Sequence, residues 1–209
     1  MIHRCEDCPS DDILKKRISD ILEEHDNITF NQWQTTDRCK LITQTCPATE
    51  FIDILLEALQ KLTAHSYLSK SQSAYLNKRK NELDEKTMLF LRDFAENYYF
   101  VIQDEIQSFH WVNLQCTLHP VVVYFKHEGK LCHLSFCVLS NDMNHDVCMV
   151  YAVQQAIIKE LKEMLPWITK IEYFSDGCAG QYKNRKNFKN LCLHKQDFGL
   201  DAEWVFFCH

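Results

Sequence analysis

The sequence predicts an α/β protein: a mixed sheet of order β-β-β-α-β-α-β over residues 87–209, preceded by a helical region over residues 1–86. Three observations carry that prediction. Apolar residues keep a helical period up to about residue 86. The texture then changes to aromatic and β-branched runs with alternation, which is the strand signature. Beyond residue 147 helical and strand periods take turns. Strands close in sequence should pair antiparallel, and those reached through a helix should run parallel to a neighbour.

The elements follow in order. Ile13, Leu14, Ile18, Ile21 and Leu22 form a helical stripe, capped by Ser10, Asp11 or Asp12. Residues 27–47 are mixed and polar, with no assigned element. Thr49 opens a second helix, in which Phe51, Ile52, Leu55, Leu56, Leu59 and Leu62 repeat every three or four residues, and His65 to Leu83 reads as a further helix. Met88 to Phe100 reads as a strand or strand pair, Cys116 to Phe125 as the second strand and Leu131 to Leu139 as the third. His127-Glu128-Gly129-Lys130 makes a hairpin turn between the last two. Val147 to Leu165 is a helix stopped by Pro166. Lys170 to Phe174 is a strand, Lys183 to Lys195 a helix and Ala202 to Cys208 a final strand.

Composition narrows the function. The 46% hydrophobic and 25% charged content is that of a folded chain and excludes a disordered tail. Four glycines and four prolines are too few for long flexible linkers. No apolar run is long enough to span a membrane. The start, MIHRCEDCPSDD, is too polar for a signal peptide, so an intracellular chain is expected, with its eleven cysteines reduced and mostly buried. A net charge of −6 counts against a protein whose whole task is gripping nucleic acid.

Two acids stand where chemistry could be done. Asp93 interrupts an otherwise apolar strand, and Asp176 ends the fourth strand, where open α/β sheets gather ligands. On neighbouring strands the two carboxylates would converge and repel, and Mg²⁺ or Mn²⁺ would remove that cost. A pair of such ions would activate a water or sugar hydroxyl for phosphoryl transfer. Taken singly, each Asp also reads as a turn or cap residue. Arg92 is a poor partner for Asp93, since adjacent strand residues face opposite sides. Lys183, Arg185, Lys186, Lys189 and Lys195 form a basic stretch beside Asp176, read as a phosphate-holding patch or as a solvated helix face. Lys78-Arg79-Lys80 reads as a wet helix face, a DNA patch or a nuclear-import signal.

Cys5 and Cys8 form a C-x-x-C pair. It is half of a zinc site, with His3, His25, Cys39 and Cys46 as further donors, or a pair of unligated thiols. In Asn144-His145-Asp146 the Asn or Asp reads as a helix cap, and His145 either fills the first turn or contacts phosphate or the attacking water. His110-Trp111 and His119-Pro120 read as structural.

These residues carry a resemblance. Ser175-Asp176-Gly177-Cys178-Ala179-Gly180-Gln181-Tyr182-Lys183-Asn184-Arg185, with Asn187-Phe188, resembles the second-aspartate motif of transposon-derived animal proteins. Asp93 to Asn97, with Gln103-Asp104 and Gln107 to Trp111, resembles their first-aspartate block. Asp197 to Trp204 resembles their approach to the last core strand, and His65 to Ser73 their helical segment ahead of the core. The resemblance implies a ribonuclease-H-like fold and a DDE-type transposase or integrase, with Asp93 and Asp176 on Mg²⁺ or Mn²⁺ and DNA as partner. It also implies a nuclear protein, working as a homo-oligomer. A third acid, which the resemblance puts beyond the last strand, is missing, and Glu203 is a poor substitute. Weak or no catalysis is therefore expected of a fragment or a domesticated copy. The alternatives are a non-enzymatic DNA- or protein-binding module and a related ribonuclease-H-like nuclease.

Overall fold

The computed structural model describes residues 9–35, 37–100 and 114–207. Cys5, Cys8, His3, Gln103-Asp104, Gln107 to Trp111, Cys208 and His209 therefore lie outside the described residues. Two compact units divide the chain at Lys70 and Ser71.

The first unit opens with α1 (Asp11–Ile21), whose Ser10 cap accepts the Ile13 N–H at 3.4 Å. The polar stretch that suggested no element is an antiparallel hairpin of β1 (Asn27–Thr35) and β2 (Cys39–Pro47). Its alternation was concealed because amides and hydroxyls fill many positions. Gln32 bonds Gln44, Asn31 bonds Thr43 and Thr29 bonds Thr45 across the pair. Then α2 (Ala48–Glu82) runs unbroken for 35 residues, where two helices were expected. No Gly or Pro lies within it to force the break. In the first unit it offers Phe51 to Phe30, ring to ring at 5.0 Å, and Asp53 to Lys15.

The second unit takes the last turns of α2 and the sheet. Its strands are β3 (Thr87–Arg92), β4 (Tyr98–Tyr99), β5 (Gln115–His127), β6 (Lys130–Ser140), β7 (Lys170–Ser175) and β8 (Asp201–Phe206). Helix α3 (Val147–Met164) precedes β7, and α4 (Arg185–Phe198) precedes β8. In space the long strands run β6-β5-β3-β7-β8. β5 is antiparallel to both β3 and β6, while β7 is parallel to β3 and β8 to β7. The short β4 pairs with the start of β5. This is a mixed sheet within a mixed α/β chain. Glu128 and Gly129, both at positive φ, turn the β5–β6 hairpin at the expected place.

Alternation along β3 sorts the core. Met88 and Phe90 join Val121, Val123, Ile171 and Tyr173 against the Val153, Ile157, Ile158 and Leu161 stripe of α3. Leu89 goes to the other face with Leu83 and Phe174, packed by Leu76 of α2 and by Val205 and Phe207. The face that Leu89 joins is also pinned by charge. Arg79 of α2 holds Glu172 of β7 through two hydrogen bonds, at 2.6 and 3.1 Å, and Glu172 is buried. Lys78 pairs with Glu82, and the Lys80 ammonium lies 3.8 Å from the Tyr124 ring centroid. Arg79 and Lys80 are thus engaged within the fold, while Lys78 stays on an exposed helix face.

Two further expectations change. Asp93 does not interrupt a strand: β3 ends at Arg92, and Asp93 follows, exposed. The cysteines are not mostly buried. Cys39, Cys137, Cys148, Cys178 and Cys192 are exposed and only Cys46 is buried, with no disulfide among the described ones. No helix of the described residues is long and apolar enough to cross a membrane.

Candidate active site at the carboxyl ends of two parallel strands

Register decides the geometry. β3 and β7 are parallel neighbours with Leu91 opposite Phe174. Two residues further on in each chain segment stand Asp93 and Asp176. Both line one cavity of about 590 Å³, with Phe94, Glu96, Asn97, Tyr99, His145 and Cys178 among the other walls. The two acids, far apart in sequence, therefore line one cavity at the same edge of the sheet.

Each loop is held from below. Asp93 accepts the Phe94 N–H at 2.8 Å, and Asp176 accepts the Cys178 N–H at 3.1 Å, a local turn of the kind Asp favours. The turn role and a place at the cavity hold together for Asp176. Gly177 is needed for close approach, since a Cβ there would stand 3.3 Å from the Phe207 carbonyl oxygen. Asn184 then caps α4 by accepting the Asn187 N–H at 2.9 Å.

Under the loops lies a buried polar group that sequence reading did not assemble. Arg92 is 2% exposed and packs among aromatic rings, 4.9 Å from Trp204, 5.3 Å from Tyr182 and 5.7 Å from Tyr173. Burial pushes its guanidinium down to about 10. Tyr182, fully buried, places its hydroxyl 3.2 Å from His119 Nε2. Burial raises the Tyr182 phenol, Arg92 opposes that rise, and Asp93 and Asp176 add to it. Tyr182 thus feels both acids. His119 is pushed down to about 3, chiefly by burial and further by Arg92, so it is neutral at ordinary pH. Its ring packs edge-on against Phe94.

His145 is where the sequence left two readings open. Asp146 is the cap of α3, accepting from Cys148 and Met149 N–H groups at 2.9 and 3.0 Å. This frees His145 to line the cavity. Its ring stacks on Phe94, centroids 4.4 Å apart and planes 12° apart, and its Nε2 is 2.7 Å from the Asn97 amide. Nothing in the spacing of Asn97 announced its part, because β4 and the loop before it are fixed by pairing with β5.

The basic stretch is partly assembled. Lys183, Arg185, Lys186 and Lys189 are exposed at the start of α4, and the Lys183 stem passes 4.0 Å from the Gly177 Cβ position, next to Asp176. Lys195 is engaged elsewhere, bonded to Asp201 at 2.9 Å. Glu203 pairs with Lys170 and is not among the cavity walls. Cys39 and Cys46 stand at opposite ends of β2 and, roughly 23 Å apart, cannot share one ion. Among the described residues no group of three or more His, Cys, Asp or Glu side chains is arranged to hold a metal.

Residues 72–209 match the family described as a domain of unknown function, DUF8701. The chain belongs to that family. Residues 1–63 match a second domain of unknown function, DUF8700. No curated protein and no solved structure matches the chain. The cavity and all its walls fall within the DUF8701 portion.

Proposed function

We propose that the DUF8701 portion is a ribonuclease-H-like core of DDE-transposase type, acting on DNA by metal-dependent strand cleavage or transfer. The observation that carries the reading is the shared cavity of Asp93 and Asp176 at the carboxyl ends of adjacent parallel strands. The strand order β6-β5-β3-β7-β8, three antiparallel strands followed by two parallel ones, supports the fold assignment.

The donor set fits a hard divalent ion. Asp93 and Asp176 offer carboxylate oxygens on short stems, and Glu96 and the Asn97 amide line the same space. Asp93 and Asp176 would hold Mg²⁺ or Mn²⁺. When bound, such an ion lowers the charge cost at phosphorus and activates the attacking oxygen. The chain's own residues do the rest. The loops after β3 and β7 fix the two carboxylates, Phe94 forms part of the cavity wall, and Lys183, Arg185, Lys186 and Lys189 draw the DNA backbone to the rim.

The test is nicking of supercoiled plasmid DNA in Mn²⁺, with chelator as control and Asp93→Ala beside the wild type. Weak, metal-dependent nicking that Asp93→Ala abolishes is expected. Equal nicking by both would end the assignment. DNA binding that is salt-dependent and indifferent to metal, without nicking, would instead favour a non-enzymatic module.

A further inference from the structure

We propose that Tyr99 is the stacking surface for one unpaired nucleobase, so that the substrate over Asp93 and Asp176 is a DNA strand freed from its complement. The inference deepens the reading above and rests on it.

Strand alternation sorts three neighbouring aromatic side chains. Tyr98 and Phe100 lie on one side of the chain, their rings edge to face with centroids 5.4 Å apart. Tyr99 takes the other side with Asn97, and both line the cavity that Asp93 and Asp176 line. Its backbone is held in place. Tyr99 sits opposite Gln115 in the β4–β5 pair, and the next amide, that of Phe100, donates to the Leu114 carbonyl at 3.0 Å. The Tyr99 side chain is 55% exposed and makes no ring contact among the described residues.

A single exposed tyrosine is ordinary on a protein surface. What sets Tyr99 apart is its company. The two carboxylates suit a metal-bound phosphate. Gln115 and Gln181 line the same cavity, and their side-chain amides make no hydrogen bond among the described residues. A nucleotide presents the three matching chemistries: a phosphate, a flat ring and a polar ring edge. Side-chain amides suit base edges because they hold a donor and an acceptor side by side. The cavity, about 590 Å³, has room for a molecule of nucleotide size.

Base pairing decides which form of DNA fits. Inside a duplex, neighbouring pairs cover both faces of a base and its complement covers its edge, so a side-chain ring has nothing to stack on. An unpaired base has a free face, and stacking on an aromatic ring tolerates any base. The exposed cations at the start of α4 contact phosphates, which both forms carry. Tyr99 is the group that tells the forms apart.

The test measures binding of three labelled DNAs of equal length to the full 209-residue chain by fluorescence anisotropy. They are a mixed-sequence single strand, a strand of the same length that is abasic throughout, and the duplex. Ca²⁺ is present, since it occupies oxygen sites while slowing cleavage. The wild type is expected to bind the normal strand about tenfold more tightly than the abasic strand, and more tightly than the duplex. Tyr99→Ala and Tyr99→Leu, which lack a flat ring, are expected to erase the difference between normal and abasic strands. Tyr99→Phe, which keeps the ring, is expected to preserve it. The side chain is exposed, so melting temperatures should agree across all four proteins. Equal wild-type affinity for normal and abasic strands overturns the inference. So does tighter wild-type binding of the duplex, or a Tyr99→Leu protein that keeps the wild-type preference. In each of those cases, plasmid nicking that requires Asp93 leaves the proposed function standing. Failure of the wild type to bind any of the three DNAs overturns both.

Discussion

At the scale of single residues, the site is built on buried polar groups whose protonation is set by packing. His119 is fully buried and held near a pKa of about 3. In the unfolded chain it would titrate near the ordinary histidine value. Between the two, the unfolded state binds more protons, so stability is complete above about pH 6.5 and falls as pH drops toward 3. By pH 4.5 the loss from this one residue should reach about 2–3 kcal/mol. Burial lowers His194 in the same direction, which adds to the slope. Urea unfolding at pH 7 and pH 4.5 measures the difference, and His119→Gln should flatten it. The two acids call for a separate prediction. Asp93→Asn and Asp176→Asn should each lower Mn²⁺-dependent nicking by at least about a hundredfold. Both side chains lie in loops past the strand ends, so thermal melting should not move. A fall in melting temperature that tracks the fall in activity would mark them as structural.

At the scale of elements, two contacts matter more than the others. The Arg79–Glu172 pair ties α2 to β7 across a face of the sheet, and its carboxylate is buried. Arg79→Met leaves that carboxylate with Lys170 alone, at 3.6 Å. The expected cost is about 3 kcal/mol, read as a lowered urea midpoint. A double replacement, Arg79→Met with Glu172→Gln, should recover part of it, because no charge is then left stranded. The end of α4 depends on backbone geometry instead. Gly199 closes it at φ 70°. A Cβ there would meet only the Lys162 Nζ at 3.7 Å, so sterics are mild and Gly199→Ala should cost about 1 kcal/mol, for the left-handed conformation alone.

At the scale of the whole molecule, the site belongs entirely to the second compact unit. The division falls inside α2, after Lys70, because the last turns of that helix pack Leu76 against the sheet that Leu83 and Leu89 line. A chain limited to residues 71–209 should therefore fold alone. It should give one cooperative urea transition and keep the metal-dependent behaviour of the full protein. A chain begun at residue 87, which discards Arg79 and Leu83, should not fold. The family boundaries, 1–63 and 72–209, fall close to this division and not at the change in hydrophobic texture near residue 86.

The sequence by itself determined the elements whose signal is local. Apolar stripes gave α3 and α4, continuous apolar runs gave β5 and β7, and Glu128-Gly129 gave the hairpin turn, because burial of one face imposes a period on neighbouring residues. It also placed Asp176 at the end of the strand Lys170 to Phe174, whereas Asp93 read as interrupting a strand that in fact ends at Arg92. Hydrogen bonding among Thr, Asn and Gln hid the β1–β2 hairpin, whose pairing leaves little apolar trace. Only the tertiary structure decided that β7 lies beside β3 in a register that brings both acids to one cavity. The same is true of His145, which Asn97 and Phe94 bring to that wall from distant segments. Such meetings depend on which strands pair and how far they slide, and that is settled by packing across the whole sheet, not by any stretch of chain alone.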